Sequence, residues 1–190
     1  MTKVFIFSAP SGCGKSTVIN ALREKYPELN LHFGITATTR PPRGQEKNGV
    51  EYYFLTEDEF RKGIENNDFL EYCEVYEGRF YGSLKRVVNT MLDEGKNVVM
   101  DLDVVGAQNV KRIMGERCVT VFIKPPSVAA LRERLENRGT DTAEVIDQRM
   151  ARAEFEIGEA KNFDFVVVND DLRKAVEDTA QIVRKEVENQ

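Results

Sequence analysis

The sequence predicts an α/β fold, a parallel sheet covered by helices on both faces, and three observations lead there. Continuous apolar runs recur at residues 4–7, 98–100, 119–123 and 165–168. Unbroken rather than alternating runs imply strands buried on both faces. Each run is followed by a segment with helical spacing, and the first is joined to its helix by a glycine-punctuated turn. At 190 residues the chain suffices for one domain with a full core.

In chain order, the run 4–7 opens the fold as a strand. The turn Ser8-Ala9-Pro10-Ser11-Gly12-Cys13-Gly14-Lys15-Ser16-Thr17 follows, then a helix with Val18, Ile19 and Leu22 on one face. Strand, Gly-Lys-Ser turn and helix together read as a phosphate-binding loop, in which backbone N–H groups and a helix N-terminus converge on a polyphosphate. Lys15 reaches the outer phosphates and the Ser16 hydroxyl ligates magnesium in this reading. Ala9 replaces the first glycine of the motif, which requires a negative φ there. The bland alternative is a ligand-free Gly/Ser-rich turn.

Residues 34–83 break the strand–helix rhythm. They hold an arginine- and proline-rich loop from Thr38 to Glu46, the aromatic strand-like run Tyr52-Tyr53-Phe54 and a short helix opened by the capping box Thr56-Glu57-Asp58-Glu59. Leu84, Val87, Val88, Met91 and Leu92 form a helical face that Gly95 ends. The strand 98–100 leads into Asp101-Leu102-Asp103 and a helix over 104–114; the strand 119–123 leads into a second insert. There Arg138-Gly139-Thr140-Asp141 separates two charged helices. After the last strand, Leu172, Val176, Ala180, Val183 and Val187 fall at spacings of three and four, an amphipathic final helix. Both breaks in the rhythm, residues 34–83 and 137 to about 153, read as inserts at the ligand-binding edge of the sheet.

Composition narrows the function. A net charge of −5 argues against a general nucleic-acid or membrane-surface role. Cys13, Cys73 and Cys118 lack paired spacing and read as free thiols in a reducing compartment. The single His32, read as a partly exposed residue before a strand, supports neither a zinc site nor a catalytic histidine. No apolar stretch approaches the ~20 residues of a membrane span. The expectation is a soluble cytoplasmic protein.

A phosphate loop leaves hydrolysis, signalling and phosphoryl transfer open, so a second site must decide. Arg40 and Arg43 stand three residues apart in the proline-stiffened loop. Their planar forks suit phosphate oxygens, although a solvated basic turn paired with Glu46 reads equally well on spacing alone. Phe69-Leu70-Glu71-Tyr72, Gly78-Arg79-Phe80-Tyr81-Gly82-Ser83, Asp101-Leu102-Asp103 and Val168-Asn169-Asp170-Asp171 follow in order. With the loop, their order and spacing resemble the guanylate kinase family over essentially the whole chain.

That resemblance implies Mg²⁺-dependent transfer of the γ-phosphoryl of ATP to GMP. ATP would be held by residues 9–17 (Ala9, Pro10, Ser11, Gly12, Cys13, Gly14, Lys15, Ser16, Thr17), with Asn169 near the adenine. Arg40 and Arg43 would grip the GMP phosphate with the hydroxyls of Tyr52 and Tyr81; Glu71, Asp103, Thr36 and Ser83 would face the guanine. Asp101 would lie near the reacting phosphates and metal, and Arg134, Arg138 and Arg149 would close on the transferring group. The base chemistry fits independently, because one carboxylate can accept from the adjacent imino and amino groups of guanine, whereas adenine turns a lone pair towards it. The implied partners are ATP and GMP, with no nucleic acid or membrane, acting as a monomer or homodimer.

Bland readings remain beside these: Glu71 as a surface carboxylate, Asp103 as a helix N-cap, and Arg132 and Arg152 as parts of a salt-bridged surface with Glu133, Glu136 and Glu154. Val105 stands where the family often has a polar residue before the glycine, and Gln45 where many relatives have glycine. A phosphopeptide-binding module of the same fold would keep Arg40, Arg43, Tyr52 and Tyr81 and lose the ATP side, which is present here. Another nucleotide kinase is the third reading, since base choice rests on few residues.

Overall fold

The computed structural model describes residues 2–137 and 142–188. The first apolar run becomes β1 (Val4–Ser8), followed by α1 (Lys15–Lys25) and β2 (Leu31–Phe33). The first insert supplies β3 (Ala37–Thr38), β4 (Tyr53–Phe54), α2 (Glu57–Glu65), β5 (Phe69–Tyr76) and β6 (Arg79–Leu84). Then come α3 (Lys85–Asp93), β7 (Asn97–Asp101), α4 (Val104–Met114) and β8 (Cys118–Lys124). The second insert contains α5 (Val128–Asn137) and α6 (Ala143–Glu159), and β9 (Phe165–Val168) and α7 (Leu172–Glu188) finish the chain.

Five strands form one parallel sheet in the order β2-β7-β1-β8-β9. In β1 the alternation of side chains explains the unbroken run: Phe5 and Phe7 enter the cluster under α1 and α7, while Val4 and Ile6 enter the cluster under α3 and α4. All four are fully buried, so neither face tolerates a polar residue. The register sets Phe7 beside Asp101 and Ser8 beside Phe122, which brings the ends of β1, β7 and β8 to one edge.

Three details depart from the sequence reading. β9 is an edge strand buried on one face only: Val167 is buried, whereas Val166 and Val168 are nearly half exposed. His32 lies within β2, a short edge strand whose Leu31 is buried and whose Phe33 is exposed, too brief and too polar to show as an apolar run. Leu84 is the last residue of β6 and the N-cap of α3 rather than part of its face, and Leu172 at the start of α7 is exposed.

The insert builds its own sheet, β4-β3-β6-β5, with β3 antiparallel to β6 and parallel to β4. Its core is aromatic: Phe60 of α2 stacks on Phe69 at 4.3 Å and on Phe80 at 5.2 Å. The capping box forms as expected, with Glu59 N–H donating to Thr56 Oγ1 at 3.2 Å and Thr56 N–H donating to Glu59 Oε2 at 2.7 Å. Helices α5 and α6 pack Leu131, Leu135, Ile146 and Met150 against Cys13, so the second insert rests directly on the phosphate loop.

Candidate active site

The loop between β1 and α1 encloses a cleft of 490 Å³ lined by residues 9–17 and Arg134. Its curvature rests on two glycines in the left-handed region, Gly12 at φ +90° and Gly14 at φ +79°. A Cβ on Gly12 would meet Leu135 of α5 at 2.8 Å, and one on Gly14 would meet Asn169 Nδ2 at 2.7 Å. Conformation and space therefore both require glycine. Ala9 is not among the residues of positive φ, so its Cβ is tolerated. Cys13 N–H donates to Pro10 O at 3.2 Å to close the turn. Burial pushes the Cys13 thiol up to about 12, so it stays neutral. Lys15 opens α1 and forms an ion pair with Asp101 at the end of β7.

Asn169 ties this region together. Its Nδ2 donates to Cys13 O at 2.7 Å, its N–H donates to Lys124 O at 2.8 Å, and its carbonyl accepts from Arg134 Nη2 at 2.9 Å. A residue expected near the adenine thus locks the loop to the end of β9 and positions Arg134 of α5.

Across the Lys15–Asp101 pair lies a second cleft of 380 Å³, with Thr36, Tyr52, Glu71, Tyr81, Asp101 and Asp103 among its walls. Glu71 sits opposite Ser83 in the β5–β6 register, and Ser83 Oγ donates to Glu71 Oε1 at 2.7 Å. Burial raises the Glu71 pKa above the ordinary carboxylate value and the negative charge of Asp103 adds to it, while the Ser83 hydroxyl opposes both. Such a carboxylate gains from a ligand that brings hydrogen-bond donors. Asp103 caps α4 by accepting from Gly106 N–H at 2.8 Å, and it still faces this cleft, so the capping and ligand-facing readings coexist.

Arg40 and Arg43 do not line the cleft in this conformation. Arg40 is buried, donates from Nη2 to Glu46 Oε1 at 2.9 Å and stands 5.2 Å from the Tyr52 ring centre. Arg43 N–H donates to Glu46 Oε2 at 2.7 Å, and its side chain is exposed. The pairing with Glu46 is real, but for Arg40 the basic turn is not a solvated one. Tyr52 and Tyr81 stand edge to face, 6.2 Å apart.

From α6, Arg149 Nη1 donates to Ser11 Oγ at 2.8 Å, which brings that helix onto the loop. Arg138 lies outside the described residues. Arg132 pairs with Asp147 at 2.6 Å and Glu136 at 3.5 Å, as a salt-bridged surface would. Arg152 is likewise exposed and salt-bridged, and it does more than that. It pairs with the buried Glu156 at 2.9 Å, stands 3.9 Å from Asp103 and lines the junction of the two clefts with Arg149, Lys15 and Ser11. The spacing 149, 152, 156 on one helix carried that signal.

Cys73 and Val105 also line the second cleft. Cys73 follows Glu71 by two on β5, the spacing that returns to the same face of a strand. Val105 is exposed there, an apolar group where the family often has a polar one.

Among the described residues no three His, Cys, Asp or Glu side chains gather as a metal cluster, and no helix is long and apolar enough to cross a membrane. The Ser16 hydroxyl and the Asp101 carboxylate nevertheless suit Mg²⁺, which takes one or two protein oxygens and the rest from substrate phosphates and water.

Comparison with known proteins agrees with this geometry. The family model described as guanylate kinase matches residues 1–186. A guanylate kinase of Porphyromonas gingivalis is 57% identical over 177 residues, covering 93% of this chain and 94% of its own. One of Bacteroides thetaiotaomicron is 56% identical over 183 residues, covering 96% and 89%. The crystal structure of guanylate kinase from Anaplasma phagocytophilum superposes with a TM-score of 0.69 at 31% identity, covering 97% of this chain and 86% of that one. By sequence and by architecture, the chain belongs to the guanylate kinase family.

Proposed function

We propose that this protein transfers the γ-phosphoryl group of ATP directly to GMP, giving ADP and GDP. The observation that carries the reading is the Lys15–Asp101 ion pair, which joins a polyphosphate-shaped cleft to a cleft built around a desolvated carboxylate. We assign residues 34–83 as the acceptor subdomain, 126–158 as the lid and the remainder as the core.

ATP phosphates occupy the loop of residues 9–17, where Lys15 leaves Asp101 for the outer phosphates. Ser16 and Asp101 would hold Mg²⁺, which when bound neutralises charge between the β- and γ-phosphates. The GMP phosphate draws Arg40 from Glu46 and recruits Arg43, with Tyr52 and Tyr81 completing its shell. Glu71 accepts from the two guanine donors, and Thr36, Ser83 and Asp103 complete the reading of the base. Arg134, Arg138 and Arg149 then stabilise charge spread over the transferring oxygens, which is most of what the reaction asks of a protein. The inserts move together to align donor and acceptor and exclude water. No side chain serves as a covalent phospho-acceptor.

Release of ADP, measured in a coupled assay with ATP, Mg²⁺ and a panel of nucleoside monophosphates, tests the reading. GMP should exceed AMP in kcat/KM by a factor on the order of 10⁴. An AMP preference, or ADP release that does not depend on a monophosphate, overturns it.

A further inference from the structure

A third groove, of 620 Å³, lies behind the acceptor cleft. Thr36 and Tyr52 line the acceptor cleft, while their neighbours Ile35 and Tyr53 line the groove. Successive residues of an extended chain point to opposite faces, and Tyr53 N–H donates to Thr36 O at 2.9 Å, so the two segments form one shared wall. The other walls come from the core, through Arg23 of α1, Phe33 of β2 and Arg86 of α3.

The charge in this groove is unbalanced. The Arg23 guanidinium lies 4.8 Å from the Phe33 ring centre and that of Arg86 lies 5.5 Å from Tyr53. Neither has a carboxylate partner among the described residues, in contrast to Arg61, Arg132 and Arg184. Lys96 in the same groove is already matched by Glu94 at 2.6 Å. Stacking on a ring holds a guanidinium flat and leaves its edge N–H groups to bind an anion. Arg23 spends Nε on Leu31 O at 3.0 Å, which pins it further and leaves its terminal nitrogens. Beside these cations Val50 is 60% exposed and Phe33 37% exposed, an apolar wall open to a flat group.

We propose that this groove binds a phosphate ester of a planar ring, of the nucleoside phosphate class, and that its occupation weakens GMP binding. The sign follows from the shared wall. A ligand drawing Val50 and Tyr53 towards Phe33 and Arg23 pulls that wall away from the acceptor cleft, whose closure GMP requires. This coupling rests on the acceptor assignment above, whereas the binding itself does not.

The test uses 1-naphthyl phosphate as a fluorescent probe, titrated with GMP saturating its own cleft. One further equivalent of probe should bind. 1-Naphthol and inorganic phosphate should each bind at least about tenfold more weakly, as loss of the apolar or the charged half predicts. Arg86 is exposed, so Arg86→Gln should keep its unfolding midpoint and lose the extra equivalent by at least about tenfold; Arg23→Gln should lose the extra equivalent too. In turnover the probe should raise KM for GMP at constant kcat in the wild type and not in Arg86→Gln, with GMP weakening the probe by the same factor in binding. Absence of the extra equivalent, equal binding by Arg86→Gln, or 1-naphthol binding as tightly as its phosphate overturns the site. A bound extra equivalent that leaves KM for GMP unchanged overturns the coupling. A protein that takes up the extra equivalent but does not phosphorylate GMP refutes the proposed function and not the groove.

Discussion

Substitution of Glu71 by glutamine tests the proposed base recognition, because one carboxylate oxygen is already used by Ser83. Glu71 Oε1 accepts from Ser83 at 2.7 Å, and glutamine can keep that contact. Its amide NH₂ then replaces the second oxygen and meets the guanine donors. A charged hydrogen bond of about 1.5–3 kcal/mol is lost and a donor is left unsatisfied, so roughly 2–4 kcal/mol of transition-state binding should disappear for GMP. At 1.4 kcal/mol per factor of ten this is about 30-fold to about 700-fold in kcat/KM, while AMP loses little. The ADP-release assay with both substrates reads it, and equal losses would show that Glu71 supports the fold instead. Stability offers an independent check. Burial raises the Glu71 pKa in the folded protein, so between the unfolded and folded values the folded state holds the extra proton. Its contribution to stability falls as pH rises through that interval and stays lowest above it. Glu71→Gln should therefore unfold at pH 7 no more easily than the wild type without substrate. A lower midpoint would refute the desolvation argument.

Lys15→Met should cut kcat at least about a hundredfold with the GMP dissociation constant nearly unchanged, since Lys15 acts on the donor phosphates; more than a third of wild-type turnover would sink the loop assignment. Arg149→Ala should lower kcat with little change in GMP affinity, whereas Arg132→Ala, on the lid surface, should leave both intact; the two are separated by initial rates and calorimetry with GMP alone. Gly14→Ala places a Cβ at φ +79° and 2.7 Å from Asn169 Nδ2, so beyond the ~1–2 kcal/mol of left-handed strain it should displace Asn169 and weaken ATP. Unchanged ATP binding in that variant, measured by titration, would mean that the loop does not need its glycine there.

Strands buried on both faces were readable from the sequence because nearly all their side chains are apolar, as at residues 4–7 of β1. β2 was not, since a three-residue edge strand with one buried side chain leaves no periodic trace. β9 is legible as a strand, but its apolar run does not say whether a helix covers its second face, and only Val167 is buried. The two clefts were legible as motifs, yet their present pairings were only partly so. Lys15 with Asp101 and Asn169 with both Cys13 and Arg134 join residues distant in sequence, and only the parallel register brings them to one edge. Arg152 reads from the sequence as a salt-bridged surface residue and is one, but that α6 also sets it 3.9 Å from Asp103 follows only from the fold.

The cations in and around the two clefts are paired with the chain's own carboxylates: Lys15 with Asp101, Arg40 with Glu46 and Arg152 with Glu156. Under the proposed function, substrate binding exchanges these partners rather than desolvating bare charges. In that scheme Glu46 has two opposed effects, since it competes with the GMP phosphate for Arg40 but also fixes the loop, accepting from Arg40 Nη2 at 2.9 Å and from Arg43 N–H at 2.7 Å. The hydrogen bond from Arg40 and that from the Arg43 backbone hold the Glu46 carboxyl below its usual range, so it stays charged at neutral pH. The loop contact should dominate. Phosphate outcompetes a single carboxylate for a guanidinium through its greater charge and its extra acceptor oxygens, whereas nothing else in the loop replaces the contact to Arg43 N–H. Glu46→Ala should thus raise KM for GMP by about tenfold, the cost of misplacing one charged hydrogen bond, although it removes a negative charge beside a negatively charged ligand. A fall in KM would show that Glu46 is only a competitor, and that both arginines reach the phosphate without its help.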